Sequence, residues 1–151
     1  MRVLAIGRSR KGPETELFDR YAARIRPALA LREFDDGHGA PAEIKRREAI
    51  LLLGTVAAGE FLVALDAGGM APDSVEFAGL LRRWTETEKK LSFVIGGAEG
   101  LDASVIARAD AVLSLGRLTW PHMLARVMLA EQVYRAQMIA SGHPYHRAGR
   151  P

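Results

Sequence analysis

Two stretches decide the fold: Phe61-Leu62-Val63-Ala64-Leu65-Asp66-Ala67-Gly68-Gly69-Met70-Ala71-Pro72, and Leu91-Ser92-Phe93-Val94-Ile95-Gly96-Gly97-Ala98-Glu99-Gly100. Each opens on a short, mainly apolar run and breaks into a glycine-rich loop. Phe61–Leu65 is apolar at every position, without the alternation of a strand that has one wet face. It predicts a strand covered on both sides. Between the two runs, Asp73 and Glu76 stand three apart as in a capping box, and a helix is expected to about Trp84. Strand, glycine loop, helix, strand and glycine loop is the order of an α/β layer with a mostly parallel sheet.

The alternation continues outward in both directions. Arg2–Gly7 reads as a first strand, and Arg8–Pro13 as a basic loop whose proline can open a helix. Leu17, Phe18, Tyr21, Ala22 and Ile25 recur at helical spacing, predicting a helix to about Pro27. Leu29–Phe34 is a second strand, Asp35–Ala40 a polar loop, and Pro41–Ala58 a long helix closed by Gly59. Downstream come a short helix at Ser104–Ala109, a fifth strand at Ala111–Leu115 and a final helix from Pro121 to about Ala140. In such sheets ligands lie beyond the carboxyl ends of the strands. Asp66–Pro72, Gly96–Gly100 and Gly116–Pro121 are expected there.

The chain has 151 residues, 48% of them hydrophobic, which suits one domain with a real core. It has no cysteine. That excludes a disulfide scaffold, a Cys-ligated zinc, an iron–sulfur cluster and a thiol nucleophile. The longest apolar stretch, Ala49–Gly59, falls far short of the roughly 20 residues of a membrane span. The opening strand does not resemble a signal peptide, so a soluble cytoplasmic protein is expected. The net charge of +3 hides a pattern. Residues 1–47 hold 11 basic and 7 acidic groups, residues 48–116 hold 5 and 10, and residues 117–151 hold 5 and 1. Two basic ends around an acidic middle fit a nucleic-acid partner or an ordinary basic surface.

No G-x-G-x-x-G follows the first strand, and no Gly-Lys-Ser/Thr triplet, G-x-S-x-G elbow or H-E-x-x-H helix is present. Gly96-Gly97 is either a tight turn or a place where backbone approaches a ligand. Asp66, ending a buried strand, is either the edge of a site or a cap. His122 and Arg126 share a side of the last helix, as do Glu131 and Arg135, an intrahelical pair. The helix's apolar positions, from Met123 to Tyr134, suit either core or a subunit interface. In the tail, His143, Tyr145, His146 and Arg147 can stack on a base and hold phosphate, or form a frayed terminus. With neither cysteine nor a nearby carboxylate, a metal at the two histidines is not expected.

Several motifs together resemble one family: Leu65-Asp66-x-x-Gly69, Ile95-Gly96-Gly97-Ala98-Glu99-Gly100-Leu101, Ser114-Leu115-x-x-Leu118-Thr119-x-Pro121-His122, Arg126-Val127-x-Leu129-x-Glu131-Gln132-x-Tyr134-Arg135-Ala136 and His143-Pro144-Tyr145-His146. They resemble the ribosomal RNA large subunit methyltransferase H (YbeA-like) family of the SPOUT class of knotted methyltransferases, over essentially the whole chain. The resemblance implies a single α/β domain over residues 1–151. Its sheet is mostly parallel with helices on both faces, its C-terminal part is a deep trefoil knot at about residues 65–140, and residues 141–151 form a substrate-facing tail. A knot is an exception to the usual rule of unthreaded chains.

The resemblance further implies a homodimer that uses S-adenosyl-L-methionine to methylate N3 of pseudouridine 1915 in helix 69 of 23S rRNA on the assembled ribosome. Cofactor contacts carry over to Leu65, Asp66, Gly96, Gly97, Gly116, Arg117, Leu118, Thr119, Trp120 and Pro121. The tail of one subunit would complete the site of the other. His146, or a water beside it, is expected to take the acceptor's proton, and Arg147 or Arg135 to steady the developing oxyanion, with Tyr145 beside them. His122 could instead orient the cofactor loop. Gly116 stands where the family commonly has Ser, and five residues follow His146, more than usual. The rivals are a knotted methyltransferase acting on another RNA, a noncatalytic RNA-binding module, and an unrelated nucleotide-using α/β enzyme.

Overall fold

The computed structural model describes residues 1–87 and 89–147. Leu91–Ile95 (β4) is buried at all five positions and forms the centre of a five-stranded sheet. Arg2–Ile6 (β1) lies on one side of it and Phe61–Met70 (β3) on the other, with Ala30–Phe34 (β2) and Ala111–Leu113 (β5) at the edges. The order is β2-β1-β4-β3-β5, and every pairing is parallel. Both faces are covered, which is why the central strands carry so few polar side chains. One face packs against Pro13–Ala22 (α1), Ser74–Glu86 (α3) and His122–Ala140 (α5), through Phe18, Phe77, Leu81, Trp84, Leu129 and Val133. The other packs against Pro41–Leu53 (α2) and Ala103–Arg108 (α4), through Ala49, Leu52, Leu101 and Val105.

Several boundaries differ from the sequence expectation, each for a local reason. The first helix ends at Ala22, short of Pro27. Pro disfavours helical backbone in the residue before it, and the Arg26 guanidinium donates to the carbonyls of Ala23 (2.7 Å) and Ile25 (2.8 Å). The second helix ends at Leu53, not Ala58. There Thr55 Oγ1 donates to Leu51 O, and Glu60 accepts from Ala57 N–H at 2.9 Å, folding residues 54–60 into a turn. The third helix runs on to Glu86, and its Asp73–Glu76 capping box is present in full.

The largest difference is in β3. The segment read as a glycine loop from Asp66 stays in the sheet as far as Met70, which pairs with Leu113 after an irregularity following Leu65. Gly69 explains the choice of residue: a Cβ there would lie 2.6 Å from the carbonyl carbon and oxygen of Val112. Only glycine lets β3 and β5 approach so closely.

Glu48, Glu60 and Arg126 are charged residues buried in the fold. Glu60 is 3% exposed. Its carboxylate accepts from Arg2 Nε (3.0 Å), Arg2 Nη2 (2.8 Å) and Ser92 Oγ (2.6 Å). Burial alone would raise its pKa, but the hydrogen bonds from Ser92, Ala57 and Arg2 outweigh it and hold the carboxyl below its usual range.

Candidate active site

The carboxyl ends of β3, β4 and β5 and the start of α5 enclose a cavity of about 580 Å³. That is the size range of small-molecule and cofactor sites. Its walls include Leu65, Asp66 and Ala67 from β3, Ile95, Gly97, Ala98 and Gly100 after β4, and Leu113 and Leu115. The run from Gly116 to His122 closes it, except for Arg117. Eight of the ten cofactor positions drawn from the sequence therefore meet at one cavity. Gly96 and Arg117 do not line it. Gly96 is needed for the turn itself, since a Cβ would fall 2.9 Å from Gly100 C. Arg117 is exposed beside the cavity.

The turn at Gly97 is packed from behind. A Cβ there would sit 3.0 Å from both Ile6 Cγ2 and Glu48 Oε1, so the backbone itself forms the cavity wall. Gly116 has φ +105°, a left-handed conformation that favours glycine, and Ser114 Oγ brackets it by donating to Gly116 O (2.9 Å). Trp120 Nε1 donates to Leu115 O at 3.3 Å, folding the loop over the cavity while Leu118 and Trp120 stay exposed. Asp66 accepts from Gly68 N–H at 2.8 Å and is the one carboxylate on the wall among the described residues. Among the described residues no Lys or Arg lines the cavity. A carboxylate with no Lys or Arg beside it suits a ligand bearing positive charge.

The tail residues form a separate cluster at the far end of α5. Arg135 donates to Glu131 Oε1 from Nε (3.0 Å) and Nη2 (2.5 Å), the ion pair expected from their spacing. Tyr145 OH donates to the same oxygen at 2.9 Å, and its ring lies 4.9 Å from both the Tyr134 ring and the Arg135 guanidinium carbon. His146 Nδ1 is 3.5 Å from Arg135 Nη1. Arginine can only donate, so in this contact Nδ1 is the acceptor. The hydrogen bond and charge of Glu131 raise the Arg135 pKa, keeping it cationic. Burial first, then hydrogen bonding with Tyr21 and Glu131, pushes the Tyr145 phenol well above its usual value. Tyr145 is therefore a proton donor at neutral pH and not a base. Arg147 is exposed, and the chain's extension past it, residues 148–151, lies outside the described residues.

None of the described tail residues lines the cavity. Arg135 stands 13 positions along α5 from His122, or roughly 20 Å along the axis at 1.5 Å per residue. Within one chain the two halves of the expected site are apart. His122, weighed from sequence only as an alternative, is a cavity residue. Glu131, which fixes both Arg135 and Tyr145, was legible only as a surface ion pair. Among the described residues no cluster of His, Asp and Glu could hold a metal, and no helix is long and apolar enough to cross a membrane.

Comparison with known proteins places this geometry. A family model described as predicted SPOUT methyltransferase matches residues 1–146. A ribosomal RNA large subunit methyltransferase H of Acidiphilium cryptum is 61% identical over 151 residues, covering 100% of this chain and 96% of that protein. One from Gluconacetobacter diazotrophicus is 58% identical over 151 residues, covering 100% and 99%. Among solved structures, a probable methylase family protein of Haemophilus influenzae superposes with a TM-score of 0.58 at 11% identity, over 99% of this chain and 71% of that one. The SpoU methyltransferase AviRb of Streptomyces viridochromogenes, in complex with AdoMet, gives 0.51 at 14% identity, over 91% and 58%. These two likenesses concern the fold alone.

Proposed function

The chain belongs to the SPOUT methyltransferases, and within them to the ribosomal RNA large subunit methyltransferase H family; from that premise we propose that it methylates N3 of pseudouridine 1915 in helix 69 of 23S rRNA, on the assembled ribosome, with S-adenosyl-L-methionine as donor. The observation that carries the reading is the cavity wall, built from the β3 strand at Leu65–Ala67 and two backbone turns, with Asp66 as its carboxylate and no Lys or Arg among the described residues. Those residues fit an adenosine-bearing sulfonium: glycine backbone allows close approach, and Asp66 offers a carboxylate to the positive charge. When bound, the cofactor supplies an already activated methyl group, so the protein's task is alignment and proton removal. Leu65, Asp66, Gly97, Leu118, Thr119 and the backbone around Gly116 hold and orient it, and Trp120 and Pro121 shield it from water. His122 fixes the near wall.

The protein acts as a homodimer of single-domain subunits. In each subunit residues 65–140 form a trefoil-knotted cofactor unit, and residues 141–151 form a tail serving the partner. Support for the knot comes from β5 lying outside β3, and from α5 returning to pack on both α1 and α3. Support for the trans arrangement comes from the separation along α5. In the assembled site Arg135 and Arg147 face the uridine oxygen as its negative charge develops. His146 takes the N3 proton, directly or through a water, once Nδ1 leaves Arg135 or its other ring nitrogen turns to the base. Tyr145 holds Glu131 and so the orientation of Arg135.

The test is calorimetric titration of the purified protein with S-adenosylmethionine and, separately, with ATP, followed by transfer of labelled methyl to ribosomes and to free 23S rRNA. Binding of the first ligand only, and transfer to ribosomes only, is the expected pattern. ATP binding, or transfer confined to free RNA, refutes the reading.

A further inference from the structure

The loop between β1 and α1 carries Arg8, Arg10 and Lys11, all exposed, and the cofactor cavity does not use it. It nevertheless starts at the cavity wall. At Gly7, where φ is +90°, a Cβ would lie 2.8 Å from Nε2 of His122, which lines the cavity. The loop is also held in place from beneath. Arg126, 2% exposed, donates from Nη2 to Ile6 O (2.5 Å) and Gly7 O (2.7 Å), and from Nη1 to Glu33 (2.7 Å) and Ser9 Oγ (3.3 Å). Glu33 in turn accepts from Ser9 N–H at 2.8 Å. A buried arginine and its carboxylate thus anchor a short segment whose exposed side chains are cationic. Desolvating such a pair is costly, and an ordinary surface loop does not need it.

We infer that this loop is a phosphate-binding lip of the active site: Arg8, Arg10 and Lys11 take successive phosphates of the RNA strand that delivers its base to the cavity. The inference rests on the RNA-methyltransferase reading above. Arg8 pairs with Asp35 at the surface in the free protein. Exposed pairs of this kind are weak enough for a phosphate to replace the carboxylate. Asp36, beside Gly7, and Asp35 set the limit of the cationic strip on the β2 side. Glu14, at the start of α1, bounds it on the other. The contacts are to backbone and carry no base information, so they contribute docking and not choice of base.

The experiment compares two triple variants with the wild type, on ribosomes that lack the modification, over a range of salt concentrations. One is Arg8→Gln/Arg10→Gln/Lys11→Gln. The other removes equal charge near the opposite ends of the strands, Arg82→Gln/Arg83→Gln/Lys89→Gln. The loop variant is expected to raise KM about tenfold and to flatten the slope of log(kcat/KM) against log[salt] by about two to three, with kcat and affinity for S-adenosylmethionine kept. The control variant is expected to leave the slope within one unit. Unchanged KM and slope in the loop variant, or equal changes in both variants, overturns the lip. A wild-type protein that transfers no methyl to ribosomes overturns the RNA reading, and the lip with it.

Discussion

Helix α5 separates the cavity from the tail, and the separation makes a numerical prediction. Ala140, the last residue of α5, is 18 positions beyond His122, or about 27 Å along the axis. Six residues lead from Ala140 to His146. Fully extended they span only about 21 Å, and His146 is instead held back against Arg135, away from the cavity of its own chain. Consider two inactive variants. Ala98→Trp places a bulky ring at an exposed position of the cavity wall, and a chain truncated after Gly142 lacks the tail. Each alone forms dead dimers. Mixed in equal amounts by co-expression, half the dimers are hybrid, and each hybrid joins one open cavity to one intact tail. The mixture should therefore recover about one quarter of wild-type specific activity, given two-fold symmetric dimers. The assay is methyl incorporation per dimer, with dimer formation checked by size-exclusion chromatography. No recovery in confirmed hybrids would refute the reasoning, because a site completed within one chain stays dead in every combination.

Three further outcomes follow from the packing. Glu60→Gln should cost about 2 kcal/mol in chemical denaturation, since it uncharges the buried partner of Arg2. Because the Glu60 pKa is depressed by folding, its stabilisation is present above the ordinary glutamate range and lost as pH falls through the depressed value; the variant's stability should fall less steeply in acid than the wild type's. Gly69→Ala forces a Cβ to 2.6 Å from Val112 backbone, so thermal unfolding should show a loss of about 1–3 kcal/mol, with weaker cofactor binding because Leu65 and Leu113 shift apart. Tyr145→Phe removes the bond to Glu131; kcat should fall about tenfold, while the alkaline limb of the pH–rate profile stays where it was, because the raised phenol pKa keeps this group protonated.

The order of the sheet's building blocks was legible because burial on both faces leaves runs such as Phe61–Leu65 and Leu91–Ile95 with little polar interruption. The capping box at Asp73 and the Glu131–Arg135 pair were legible because both are local. What the sequence concealed was nonlocal. Gly68-Gly69 reads as a loop until β5 is known to lie against it. Arg126 reads as one turn's neighbour of His122, and nothing nearby in sequence shows that it is buried under Ile6, Gly7 and Glu33, more than 90 residues away. Glu48 and Glu60 look like helix and turn surface, yet each is 3% exposed. In the candidate site, most cavity residues lie near glycine turns and could be read off. The distance between cavity and tail depends on α5 being one unbroken 19-residue helix, and a list of site residues does not convey it.

The decisive measurement is mass-spectrometric mapping of 23S rRNA. Ribosomes from a strain lacking the modification are incubated with the purified protein and isotopically labelled S-adenosylmethionine. A single labelled methyl at N3 of pseudouridine 1915 in helix 69 is expected. Label at another nucleotide, at another atom of that base, or nowhere would contradict that assignment.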